Sequence, residues 1–486
     1  MSLSTAFNIA QSALLNNSRQ TTTVSRNVAE KDNADYTRRV AVLSSQASGA
    51  RIVDVQRATN QLLMRNSINA TSSYQGQKTL LDGLNSLALE VNGPDNATSA
   101  ATLIGRLQEA MHLFSTTPSN RTLAENAVEA ARQVVYSLNN GSHAIQASRT
   151  DADSRIATEV GELNQLLTDF HAANSAVVQG TAAGRDVNDA LDQRDALLKK
   201  IAEKLPVSTM SRENNDMVIM TGDGTMLYEK VPRTVTFQPI SGYSVGTTGN
   251  AVYVDGVPQS AGAGANTTAS GTIAGLLQLR DSVAPAMQKQ LDEIARGLIT
   301  AFAETDPNGV QPAATGLFTW TGGPGIPAAG TLQNGLAASI HLNAAMDFNA
   351  GGDPVLLRDG GANGAAYVWN TGGAASYSDQ LLSFGDKLAA PMAFDLAAGL
   401  GSIGKLDDYS ANSISWLEAL RKDATGASET KGALMARTTE ALSNATGVNM
   451  DEEMSLLLDL EHSYQASTRI ISAIDTMFSS LLSAVR

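Results

Sequence analysis

Five histidines, two aspartates three residues apart and two short Gly/Asp turns are the residues of this 486-residue chain best suited to chemistry. His112, His143, His171, His341 and His462 are scattered, with no two at a helical four-residue spacing and no H-E-x-x-H string, so a helix-borne metal site is not expected. Asp192 and Asp195, in LDQRDALLKK, share one helix face. Such a pair could act as acid and base if a cleft and an apolar neighbour drew their pKa values apart. Arg194, Lys199 and Lys200 crowd the same segment, so the expectation is a solvated charged face. Gly222-Asp223-Gly224 lacks the third glycine and the following helix that would aim amides at a phosphate, and reads as a turn. Asp306 and Asn308 open an Asp-Pro-Asn-Gly turn without the distant bidentate glutamate of a calcium loop. No serine stands in a G-x-S-x-G turn. The absence of cysteine excludes disulfides, a thiol nucleophile and Cys-based zinc or iron-sulfur sites. No catalytic residue, cofactor or metal is expected, and the chain does not read as an enzyme.

The elements that would position these residues point elsewhere. Aromatic residues are only 5% of the chain against 43% hydrophobic overall, which suits helical seams of Leu, Ile, Val and Ala better than a ligand pocket. A formal net charge of -14 argues against nucleic acid, whose phosphates are bound by clusters of Lys and Arg. No run of 18 apolar residues could span a bilayer, and residues 1-30 carry no charged stretch followed by a continuous apolar one, so neither membrane insertion nor a cleavable secretory signal is expected.

Glycine divides the chain. Nine fall in 1-220, thirty in 221-426 and two in 427-486. Because glycine is costly inside helices and useful in turns, helical ends should flank an irregular, strand-containing centre. Leu3, Phe7, Ala10, Leu14, Asn17, Thr21, Val24 and Val28 follow alternating spacings of four and three, a heptad seam with a polar middle. Leu457, Leu460, Tyr464, Ser467, Ile471, Ile474, Phe478 and Leu481 repeat the pattern at the other end, where Asn449 and Glu452 have capping-box spacing. Residues 1-65 hold eight Lys or Arg against four Asp or Glu, and 449-486 hold two against six, so the ends are complementary in charge. Helical patterns are predicted near 74-90, 98-115, 121-174, 186-204 and 272-304, and again from about 407. A hairpin is expected around Met217-Tyr228.

SRNVAEKDNADYTRR at 25-39 resembles the signature of flagellar axial proteins, roughly S-N-N-I-A-N-x-N-T-P-G-Y-T-R, with Ser25, Asn27, Ala29, Tyr36, Thr37 and Arg38 in matching places. VNDALDQRDALLKKIAEKLPV at 187-207, GTIAGLLQLRDSVAPAMQKQLDEIARGLITAFAE at 271-304 and GVNMDEEMSLLLDLEHSYQASTRIISAIDTMFSSLL at 447-482 are similar to segments of the hook-associated protein 1 family, in that family's order. The resemblance implies a multidomain α+β fold: a coiled-coil core of paired N- and C-terminal segments with strand-rich domains inserted between them. The expected divisions are an axial segment at 1-65, a helical domain at 66-206 completed by 401-448, lobes at 207-270 and 305-400 separated by a helix at 271-304, and a C-terminal axial helix at 449-486. It further implies a structural role at the hook-filament junction outside the cell, in a ring of like subunits, between hook protein and hook-associated protein 3. An export chaperone is expected on the C-terminal helix. The assembly interface is expected at Leu3, Phe7, Leu14, Val24, Val28, Tyr36, Leu457, Leu460, Tyr464, Ile471, Ile474, Phe478 and Leu481. The alternatives are another axial protein, such as hook-associated protein 3 or a flagellin, and an exported effector or enzyme with axial-protein ends.

Overall fold

A computed structural model of the protein describes residues 3-46, 49-92, 97-259 and 270-484. Residues 260-269 of the first expected lobe, and the outermost two residues at each end, lie outside the described residues.

Helix α1 (Leu3–Ala29) leads into a hairpin of β1 (Arg39–Gln46) and β2 (Gly49–Arg57), followed by α2 (Gln61–Leu87). Next come α3 (Ala100–Thr116), α4 (Arg121–Ala182) and α5 (Asn188–Lys204). Asn60, Ser99 and Asn120 cap α2, α3 and α4 by accepting backbone N–H bonds that the first turn of a helix leaves unused. At 62 residues α4 is about 93 Å long at 1.5 Å per residue, and it is the spine of the molecule. Its predicted row of Ile156, Val160, Leu163, Leu167 and Phe170 is buried.

The glycine-rich centre starts with two small antiparallel sheets. The first joins β3 (Val207–Ser211), β4 (Met217–Thr221) and β5 (Met226–Tyr228); the second joins β6 (Val235–Thr236), β7 (Tyr253–Val254) and β8 (Val257–Pro258). The Gly222-Asp223-Gly224 turn closes β4 onto β5, with Asp223 accepting from the Thr225 N–H at 3.1 Å and Gly224 at φ +89°, where only glycine is unstrained. The stretch predicted as one helix at 272-304 is α6 (Thr272–Gln278), a π-turn at Leu279–Val283, and α7 (Ala284–Ala301). The π-turn carries Arg280, a fully buried side chain paired with the equally buried Asp153 of α4 at 2.6 Å.

Residues 305-400 are mostly irregular. They hold β9 (Phe318–Thr319), α8 (Leu336–Ser339), β10 (His341–Leu342), α9 (Leu356–Asp359), α10 (Asp379–Ala389) and β11 (Met392–Ala393), which pairs with β12 (Ile403–Gly404). Buried carboxylates replace sheet ladders here. Asp306 accepts from the N–H groups of Asn308, Val310 and Gln311, a turn as expected, and Glu304 from those of Ala362 and Asn363.

The chain returns through α11 (Leu406–Thr446) and ends in α12 (Met450–Ala484). Contacts from Ser67 to Thr439, Tyr74 to Gly432 and Asn85 to Arg421 show that α2 and α11 run antiparallel in fixed register. Bonds from Asn17 to Ser463 and Asn27 to Glu453 show the same of α1 and α12. Two antiparallel helix pairs therefore follow one another along the chain, with the hairpin at the joint between them.

Candidate assembly interface

Each terminal helix offers two rows of seam residues, and the intrachain pair closes only one. On α1 the buried row is Ala10, Asn17 and Val24; on α12 it is Leu460, Ser467 and Ile474. Both rows repeat every seven residues, the spacing that keeps one stripe facing a partner helix. The alternate rows stay open. Leu14 and Val28 are half-buried and Phe7 is exposed; on α12, Leu457 and Ile471 are half-buried while Tyr464 (47% exposed) and Phe478 (41%) face outward, and Leu3, half-buried, and Leu481 (58% exposed) are the outer ends of the closed rows. Ile470, Met477 and Leu482 are exposed beside them. Together these exposed residues form an uncovered apolar stripe on α12.

The polar middle of the α1 seam has a definite use. Asn17 Nδ2 donates to Ser463 Oγ at 2.9 Å, so the pair fixes register with a hydrogen bond where Leu would have left it free to slide. Asn27 is fully buried and uses both ends of its amide. Its Oδ1 accepts from Tyr36 Oη at 2.7 Å and from the Arg39 N–H at 2.9 Å, and its Nδ2 donates to the Arg39 carbonyl and to Glu453 Oε2. Tyr36, an expected interface residue, is thus buried inside the joint, and burial raises its phenol pKa.

Arg38 points to α12, bonding Glu453 at 2.6 Å and Glu452 at 3.0 Å. Its neighbour Arg39 points the other way, to Asp192 and Asp189 of α5, and Arg57 joins Asp192 at 2.8 Å and Asp195. Arg26 completes the cluster on Asp189, and that hydrogen bond holds the Asp189 carboxyl below its ordinary range. The segment read as a solvated charged face is therefore a docking strip: Asp189, Asp192 and Asp195 recur every three residues on one side of α5 and receive three arginines from the axial segment. Of the eight basic residues at 1-65, Arg26, Arg39 and Arg57 pair with α5, and Arg38 pairs with the acidic start of α12. Arg194 is turned inward, to the carbonyl of Asn215 and the side chain of Asn174. Sequence spacing showed Asp192 and Asp195 but neither Asp189 nor the partners, which lie more than 130 positions away. At the start of α12, Asn449 accepts from the Asp451 and Glu452 N–H groups as its capping position suggests, but the Glu452 carboxylate turns to Arg38.

Among the described residues no group of His, Asp and Glu is arranged to hold a metal ion, and no helix is long and apolar enough to cross a membrane. His171 bonds the Tyr228 hydroxyl at 3.1 Å and His341 the Ser339 carbonyl, each tied to its own neighbourhood.

The family description "Flagellar hook-associated protein FlgK helical domain" matches residues 86–317, and "Flagellar basal body rod FlgEFG protein C-terminal" matches 441–484. Flagellar hook-associated protein 1 of Bacillus subtilis is 22% identical over 394 residues, covering 76% of this chain and 73% of the relative. These matches make this chain similar to the FlgK family. The proteins of the same name in Escherichia coli and Salmonella typhimurium are 24% and 25% identical, each over 61% of this chain and 54% of the relative's own length. The fold agrees with that of the flagellar hook junction protein FlgK from Burkholderia pseudomallei, at a TM-score of 0.57 and 12% identity over 78% of this chain and 99% of that one. The family is one of structural flagellar proteins, and the resemblance and multidomain α+β architecture expected from the sequence both hold.

Proposed function

We propose that this chain is a structural, non-enzymatic subunit that joins the flagellar hook to the filament. The observation that carries this reading is the half-closed seam: α1 and α12 pair through one row of each helix and leave Tyr464 and Phe478 of the other row uncovered, with Leu481 exposed where the closed row ends. Burying a large side chain of this kind contributes about 1.5–3 kcal/mol, so the free subunit holds several such contributions in reserve for its neighbours. The open rows pack against like subunits around a ring, against hook protein on one side and against hook-associated protein 3 on the other. Before export by the flagellar route the same apolar face of α12 is what a chaperone covers.

The joint transmits load between this axial pair and the helical domain. Arg38 ties it to α12 and Arg39 with Arg57 ties it to α5, so a pull on the axial helices reaches α4 through paired charges rather than through a free linker. Immunogold labelling of intact flagella with an antibody to the 305-400 region tests the location. The expected result is one narrow band of gold between hook and filament. Label along the filament, or none on the flagellum, would overturn the reading.

A further inference from the structure

The β1–β2 hairpin has two edges, and the protein closes only one of them. Register and side-chain bonds fix which backbone groups face outward. Asn27 bonds both the N–H and the carbonyl of Arg39, so Arg39 points away from β2. Alternation along β1 then turns Ala41, Leu43 and Ser45 outward as well. Their partners Val55, Ile52 and Ala50 confirm the parity across the bulge at Val42/Leu43. On β2 each is met by a side chain: Asn188 donates to the Val55 carbonyl, Asn16 spans the Ile52 N–H and the Ala50 carbonyl, and Ser12 donates to the Ala50 carbonyl. Among the described residues, no corresponding bond reaches the outward groups of Ala41, Leu43 or Ser45.

An open strand edge is a template for one more strand, and proteins that keep an edge solitary place Lys, Pro or another charge on it. Here Val40–Gln46 has none, and Val40 and Leu43 are both about half exposed. We propose that the β1 edge over Ala41–Ser45 is a strand-addition site that receives an extended, uncharged segment of an unlike neighbouring axial subunit in the assembled flagellum. This rests on the structural role proposed above.

The closed edge argues for an unlike donor. A second copy could offer its own hairpin only by its β1 edge, because its β2 edge is capped. Pairing β1 to β1 is two-fold and ends at a dimer, whereas subunits repeating around a tube need contacts that do not close in pairs. Backbone pairing supplies the affinity in such a complex, and the absence of charge along β1 selects a donor that is likewise uncharged.

The outward Leu43 N–H makes the site testable without touching the hairpin's own ladder. Leu43→Pro removes that donor and tolerates its place on an edge, whereas Leu43→Thr keeps the donor and loses the apolar side chain. Each is expressed in a motile host lacking its own copy, beside the wild-type chain, with circular dichroism of the purified proteins as the check on folding. The expected result is filaments with wild-type and Leu43→Thr, and hooks without filaments with folded Leu43→Pro. Filaments at wild-type frequency with Leu43→Pro would overturn the edge proposal alone, whereas wild-type chain that restores no filament would overturn the structural role. Because the chain has no cysteine, Ser45→Cys carries a single photo-crosslinker. An adduct with hook protein or hook-associated protein 3 supports the unlike donor. An adduct with a second copy, or none, contradicts it.

Discussion

At the scale of single residues the joint depends on side chains with more than one partner. Asn27 makes four hydrogen bonds inside a site closed to water, so Asn27→Ala leaves Glu453, Tyr36 and the Arg39 backbone groups short of partners. Each unmade buried bond costs about 1–3 kcal/mol, and opening of the joint should become easier by at least about 2 kcal/mol. Faster hydrogen exchange of the amides at 36-46, with α4 unchanged, is the expected readout. Asp192→Asn leaves Arg39 nearly buried without its main counter-ion, and breaking a buried pair from one side costs about 3–5 kcal/mol. Limited proteolysis should then cut between α1 and α2 far sooner than in the wild-type chain. Asp292 of α7 gives a pH signature in the other half of the molecule. Burial pushes its carboxyl up to about 6 although the Gly335 and Ala337 N–H groups and Gln288 donate to it. A carboxyl raised in the folded state contributes stability that is fully present below its ordinary value of 3.8 and is lost as the pH rises through about 6. Thermal unfolding followed from pH 4 to 7 should show that contribution fall away in the wild-type chain and not in Asp292→Leu.

At the scale of elements, the two rows of each terminal helix separate folding from assembly. Ile474 lies in the closed row, so Ile474→Asp should part α12 from α1 in the free subunit and expose both to exchange. Phe478 lies in the open row, so Phe478→Asp should leave exchange in the free subunit unchanged and still abolish incorporation into flagella. Equal behaviour of the two variants would contradict the division into rows. Even in the wild-type chain, a two-helix pair with five buried residues on α1 and four on α12, over half of them polar or alanine, holds little buried apolar surface, and amides at 3-29 and 455-484 should exchange well ahead of those in α4. The helices themselves were legible in the sequence because a heptad repeat is written in consecutive residues. Which row would be filled was not, since both rows have the same spacing and only a neighbour distinguishes them. The role of Asp192 was hidden for a related reason: its nearest charges in sequence are not its partners in space. The π-turn at Leu279–Val283 was also invisible, because inserting one residue in a helix barely disturbs an apolar pattern that is buried on every side.

At the scale of the whole molecule, two antiparallel helix pairs follow one another along the chain, with the charged joint between them. Low sequence identity to the relatives with a shared fold is what this arrangement allows, because seam positions need only apolar bulk while the irregular region is held by its own buried carboxylates. A subunit built this way can present one surface to a tube and another to its surroundings, as a connector between two unlike tubes requires. Deleting the gene in its motile host, imaging the cells by electron microscopy and assaying the medium for flagellin tests this most directly. If the chain joins hook to filament, the cells carry hooks that end bare and shed flagellin into the medium. Intact filaments on the deleted strain would contradict it.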